Sequence, residues 1–214
     1  MGIAERRERE RDLQQKMRRG QILDAAKRLF DAKGFSSATM EDIAQEAELS
    51  TAAIYLYFKN KNDLYVSLNL QLLEYLSDKL ERLYLQEGLD AEEKVEALKD
   101  LFTAVYNFDP LILINLFHFQ ASDGLRNLPP ERLSQLNDLA GKSLRSLAAI
   151  FDQGKGEGRY MDYHSTALAD IVWIIFTGAV LWEESKRMIH PHKDYLKDTL
   201  DLAIDILGRG IKKG

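Results

Sequence analysis

Between Leu49 and Lys61 the chain reads LSTAAIYLYFKNK, a run in which short polar, aromatic and cationic side chains alternate with alanine. Ser50 is a good cap for a short helix beginning at Thr51. On such a helix residues four apart lie above one another, so Thr51 and Tyr55 share a face with Ala52, while Ile54 and Phe58 share the opposite one. The first face is small near its start, which lets a helix press into the major groove of a duplex. There a threonine offers a hydroxyl or a methyl to a base edge, and an alanine can touch a thymine methyl. Tyr57, Lys59 and Lys61 follow where phosphates would pass, and contacts of that kind fix register more than sequence. The competing explanation for the stretch alone is an ordinary helical corner with surface tyrosines.

The other reactive side chains form no comparable pattern. There is no cysteine, which removes disulfides, thiolate metal sites and cysteine nucleophiles. Of the four histidines, His118, His164, His190 and His192, two flank Pro191 in an HPH sequence that suits a capping or solvent role better than a metal site. Glu183 and Glu184 are adjacent, so a helix points them in different directions and they make no acid/base pair. No serine–histidine–acid arrangement, phosphate-binding loop or spaced ligand set emerges, and no metal or other cofactor is expected. An all-helical hydrolase or lyase, built from scattered residues, is the rival class.

Composition agrees with a soluble globular chain: 214 residues, 45% hydrophobic and 29% charged. The net charge of −5 is uneven. Residues 1–63 carry 12 Lys/Arg against 11 Asp/Glu, residues 64–214 carry 17 against 23, and the first 20 carry 7 against 4. A mildly basic end on an acidic body suits a protein that meets a polyanion with one face. The charged start is no secretory signal. The most apolar stretch holds only 12 uncharged residues between Asp170 and Glu183, against the roughly 20 a membrane span needs. No membrane association is expected, and a cytoplasmic location is.

Apolar residues recur at helical spacing throughout. Ile22, Ala25, Ala26, Leu29 and Phe30 form one stripe, and Gly34 can end that helix with Phe35 folding back on it. Thr39 with Asp42 fits a capping box for a second helix, bearing Ile43, Ala44 and Ala47 and ending near Glu48. Ile54 and Phe58 of the third would pack on Ile43, Ala47 and Leu29. Further helices are expected over 61–86, 91–107, 111–122, 131–153, 165–188 and 193–212, with prolines 110, 129 and 130 just before helix starts. The run GKGEGR at 154–159 reads as a helix-terminating loop. The chain reads all-α.

Two short helices joined by a tight turn after a longer one make a helix-turn-helix arrangement. The segment Gly20 to Tyr65 closely resembles the N-terminal domain of TetR-family transcriptional regulators. The matching features are A-x-x-L-F, GFSSATM, I-A-x-x-A and I-Y-x-Y-F-K-N-K-x-D-L. The resemblance implies a three-helix DNA-binding domain at 20–65, after a charged extension at 1–19, and a larger helical effector-binding and dimerisation domain at 66–214. It implies a homodimeric repressor that leaves a palindromic double-stranded DNA operator when a small effector binds. By the same resemblance Ser50, Thr51, Ala52 and Tyr55 face the groove, and Thr39, Tyr57 and Lys61 meet phosphates. Two positions depart from the pattern: Thr51 stands where many members carry a basic or longer polar residue, and Leu56 where an aromatic is frequent.

The helix from Ser165 is apolar nearly all round, so it needs burial on two sides. Gly178 and Ala179 permit close approach. With Leu196, Leu200, Ala203 and Leu207 of the last helix they resemble the family's four-helix dimer interface; a purely intrachain core is the alternative reading. For the effector, an apolar wall with few polar groups is expected. Phe102, Tyr106, Trp173 and Phe176 supply the wall, with Asn115 or His118 orienting a mostly hydrophobic ligand; a dry core is the alternative reading of the same aromatics.

Overall fold

The structure, a computed structural model, describes residues 2–110, 113, 114, 116, 128–187, 189, 190, 192 and 194–214, leaving aside the side chains of Ile3 and Ala4. Among the described residues eight helices follow one another: α1 (Ile3–Ser37), α2 (Met40–Glu46), α3 (Thr51–Tyr55), α4 (Lys61–Leu85), α5 (Ala91–Phe108), α6 (Pro130–Gly156), α7 (Ser165–Arg187) and α8 (Leu196–Gly210). No strand occurs among them, only an isolated antiparallel bridge between Tyr160 and Lys212. The chain is all-α. Of the helix expected over 111–122, only residues 113, 114 and 116 are among the described residues. The chain divides into two compact units, Met1–Asn69 and Leu70–Gly214.

In the first unit α1 buries Ile22, Leu23, Ala25, Ala26 and Phe30, while Leu29, expected to pack with them, is half-buried. Gly34, at φ 78, breaks the helical path in a region open to glycine. Phe35 then turns back so that its ring lies 5.3 Å from Phe30 and 4.8 Å from Tyr65. Thr39 accepts from the Asp42 N–H, and Asp42 accepts from the Thr39 N–H, closing the expected box at the start of α2. The turn into α3 passes through Glu48 at φ 56, a left-handed position taken here by a residue with a Cβ. Ser50 caps α3 by accepting from the Ala53 N–H. Ile54 and Phe58 are buried, as their spacing demands.

In the second unit α5 packs on α6 and α8, and α7 packs on α6 and α8. The GKGEGR stretch ends a helix later than expected. α6 runs through Gly154 to Gly156, and the left-handed residue is Gly158, at φ 74. Gly154 is needed inside the helix because the buried Tyr160 ring fills the space of its missing Cβ; a Cβ there would stand 2.1 Å from Tyr160 Cδ2. At 23 residues and mean hydropathy 1.7, α7 is by those two measures alone long and apolar enough to cross a membrane. Here one of its faces, with Val172, Phe176 and Val180, sits in the core, and Glu183 near its end is buried while accepting from the Tyr195 N–H.

Candidate nucleic-acid interface

α3 has five residues and cannot hold itself. It is held from one side: Ile54 and Phe58 anchor it in the core, and two side chains of α1 bind its flanks. Arg19 donates to the Tyr57 carbonyl at 3.0 Å and to Ser67 Oγ at 2.9 Å, with its guanidinium 4.2 Å from the centre of the Phe58 ring. Gln21 donates through Nε2 to the Ala47 carbonyl at 2.8 Å, at the end of α2. The sequence reading missed both residues. Arg19 closes a charged run that reads as solvated, and nothing in its spacing marks the pairing.

What is held inward on one side is presented outward on the other. Ser50, Ala52 and Tyr55 are exposed, Thr51 and Tyr57 half-buried, and Leu56 is 83% exposed. Ser50 spends a lone pair on the Ala53 N–H and keeps its hydroxyl hydrogen for another acceptor. The side chains expected to read bases thus stand together on one open face, with Leu56 beside them.

Two of the expected phosphate ligands are already engaged. Thr39 is exposed, but its hydroxyl donates to Asp42 Oδ2 at 2.7 Å, so its hydrogen is not available to a phosphate unless that bond breaks. Lys61 is committed further. Its ammonium donates to the carbonyls of Phe35 at 2.6 Å, Ser36 at 3.2 Å and Ala38 at 2.8 Å, and it lies 4.5 Å from the Phe35 ring centre. An ammonium has three hydrogens, and these three carbonyls take them. Lys61 therefore closes the carbonyl end of α1, where backbone acceptors lack helical partners, instead of reaching outward.

Asp42 carries an acid-sensitive part of this frame. A hydrogen bond from Lys33, then one from the Thr39 hydroxyl and one from its N–H, lower its pKa from an ordinary 3.8 to about 2. A carboxylate depressed in the folded state contributes stability above pH 3.8 that disappears as pH falls toward 2. Between about pH 4 and pH 2 the wild-type urea midpoint is expected to fall further than that of Asp42→Asn, the two curves converging at the acid end. Parallel curves would show the box to be energetically idle.

The dimer and effector residues divide differently from expectation. Leu196 and Leu200 are 4% and 0% exposed and point into the core, so neither can meet a partner. Their helix has a second apolar stripe, Leu202 and Ile206, at 59% and 62% exposure. Ala203 and Leu207 are half-buried. On α7, Ile171, Ile174, Gly178 and Trp182 form the outer row, with Ala179 half-buried beside it. Phe102 and Phe176 are fully buried and stack on each other at 4.4 Å, which makes them a filled core pair, not an open pocket wall. Tyr106 is buried under the Arg187 guanidinium and Trp173 is half-buried against Phe176. Asn115 and His118 lie outside the described residues.

A helix-turn-helix pinned by its preceding helix defines the class of site. Residues 22–68 match the family of bacterial regulatory proteins known as the tetR family. The transcriptional repressor NicS of Pseudomonas putida is 27% identical over 148 residues, covering 67% of this chain and 66% of that protein. The nicotine-responsive transcriptional repressor HdnoR of Paenarthrobacter nicotinovorans is 35% identical over 104 residues, 47% of this chain and 51% of that one. The chain thus spans between half and two-thirds of these relatives' length. Among solved structures, the TetR family regulator PfmR of Thermus thermophilus superposes with a TM-score of 0.72 at 20% identity, over 90% of this chain and 99% of that one. That likeness concerns the fold. Proteins of this family are DNA-binding regulators, not enzymes.

Proposed function

We propose that this protein is a cytoplasmic, homodimeric transcriptional repressor that binds a palindromic operator through α3 and leaves it when a small, mostly hydrophobic effector binds. The observation that carries the reading is the two-sidedness of α3. One face is fixed by Ile54, Phe58 and the Arg19 clamp, and the other presents Ser50, Thr51, Ala52 and Tyr55. Rigid presentation of a few short side chains is what major-groove reading requires. The exposed apolar rows of α7 and α8 support a homodimer, because exposed Ile174, Trp182, Leu202 and Ile206 together are unusual for a monomer. The nicotine responsiveness in the name of HdnoR supports a small ligand.

Selection of bound fragments from random duplex DNA, followed by gel shifts on the enriched sequence, tests the reading. Ala52→Glu sets a carboxylate against the groove and should reduce binding at least about a hundredfold, a loss of about 2.7 kcal/mol or more. Tyr57→Ala should weaken binding to every sequence alike. Binding left intact by both substitutions would overturn the assignment.

A further inference from the structure

The helix that leads into the DNA-reading unit begins well before the family region. α1 starts at Ile3, and the matched family domain starts at residue 22. Residues 5–18 are exposed without interruption, so this arm buries no face of its own. Its charges are nevertheless sorted. At 100° per residue, Arg7, Arg11, Gln14, Gln15, Arg18 and Gln21 fall within about 120° of one another, and no carboxylate shares that arc. Glu5, Glu8 and Asp12 collect within about 60° on a neighbouring stripe, and Glu10 lies just beyond the other edge of the arc. A helix that only needed solubility would gain nothing from keeping acids off one side.

The basic face also borders a groove. Arg11, Gln14, Gln15, Arg18 and Gln21 line one wall of a surface cleft of about 710 Å³ whose other boundary includes Tyr57, at the end of the presented helix. Arg18 donates to Gln21 Oε1 at 2.8 Å within that wall. The direction of the arm relative to α3 is set by covalent continuity with the Arg19 clamp on the Tyr57 carbonyl and by Gln21 on the Ala47 carbonyl. From Ile3 to Arg18 the helix rises about 22 Å at about 1.5 Å per residue, roughly the axial rise of six base pairs at about 3.4 Å each.

We propose that the basic face of the α1 arm, through Arg7, Arg11 and Arg18, lies along the sugar–phosphate backbone of the duplex flanking the stretch read by α3, adding a second, sequence-blind DNA contact. The proposal rests on the DNA-binding reading above. Charge complementarity selects the occupant: a wall with arginines, amides and no acid suits a polyanion, and Tyr57 already borders the same cleft. Guanidinium groups match phosphate oxygens in a two-pronged geometry, and the glutamines add neutral donors.

The test uses the full chain and the enriched duplex, by fluorescence anisotropy over a KCl series. The variant Arg7→Gln/Arg11→Gln/Arg18→Gln removes the face with a residue that keeps helix propensity. The control Arg6→Gln/Arg9→Gln/Lys16→Gln removes the same charge from the far side of the arm. Every phosphate that is no longer neutralised should flatten the log–log salt slope by about 0.9, so the slope should drop by about 2.7 in the first variant and by less than about 1 in the control. The first variant should bind every sequence more weakly without changing their order, and should no longer respond to trimming of the flanking base pairs, which should weaken the wild type. Equal slopes for variant and control would overturn the arm contact while leaving α3 as the reader. Absence of saturable wild-type binding to any duplex would overturn both readings.

Discussion

Ile174→Arg is expected to convert the protein to monomers and to abolish operator binding. Ile174 stands 66% exposed in the middle of the α7 row, flanked by Ile171 at 42% and Trp182 at 64%, and α8 adds Leu202 and Ile206. Gly178 lies in the same row, and a Cβ there would meet nothing within 4 Å in its own chain, which leaves its space open to a second copy. A two-fold interface uses the same patch twice, so one substitution places two guanidinium groups in the contact. Burying an unpaired charge costs several kcal/mol each time, enough to dissociate a micromolar dimer. The folded monomer should tolerate the change, because the side chain points away from Val172 and Phe176. Light scattering should therefore give a single-chain mass with unchanged helicity, and gel shifts should show no retarded complex, since one head makes half the contacts. Leu200→Arg is the informative contrast: it buries the charge in the chain's own core and should unfold the domain. A variant that stays dimeric with Ile174→Arg would place the interface elsewhere.

The contrast between the two apolar stripes of α8 shows where the sequence stopped being readable. Helical spacing reports which residues share a face, and for Ile54 and Phe58 or Ile22 and Ala26 that sufficed, because only one face of each helix was apolar. The last helix carries two apolar stripes, 196/200 and 202/206, separated by little more than one side chain. Periodicity alone cannot say which faces inward, since that depends on how α5 and α7 meet it. The helix ends were legible where capping chemistry is local, as at Thr39 and Ser50. They drifted where a distant ring decides, as at Gly154, which stays helical because Tyr160 occupies its side-chain space. Arg19 and Lys61 failed to announce themselves for a related reason. Each is a cation whose partners are backbone carbonyls or a hydroxyl 23 to 48 residues away, and carbonyls carry no sequence signature.

Lys61→Met should separate two roles that the sequence could not tell apart. If Lys61 were a phosphate contact, its loss would leave stability unchanged and flatten the salt slope of DNA binding by about 1. The geometry demands the reverse. Methionine keeps the length and apolar stem but leaves the Phe35, Ser36 and Ala38 carbonyls without their donor, two of those bonds being part-buried. Charged hydrogen bonds to carbonyls contribute about 1.5–3 kcal/mol each when protected, less where water replaces the donor. A combined loss of about 2–4 kcal/mol is therefore expected, large against the roughly 5–15 kcal/mol typical of a domain. Because those carbonyls end α1 and lead into Thr39, the start of α2 loosens, and with it the support for α3. Operator affinity should fall for all sequences together, the salt slope should hold, and amide exchange should accelerate from Phe35 to Ile43 before anywhere else in the first unit. Unchanged thermal stability with a flattened slope would return Lys61 to the phosphates.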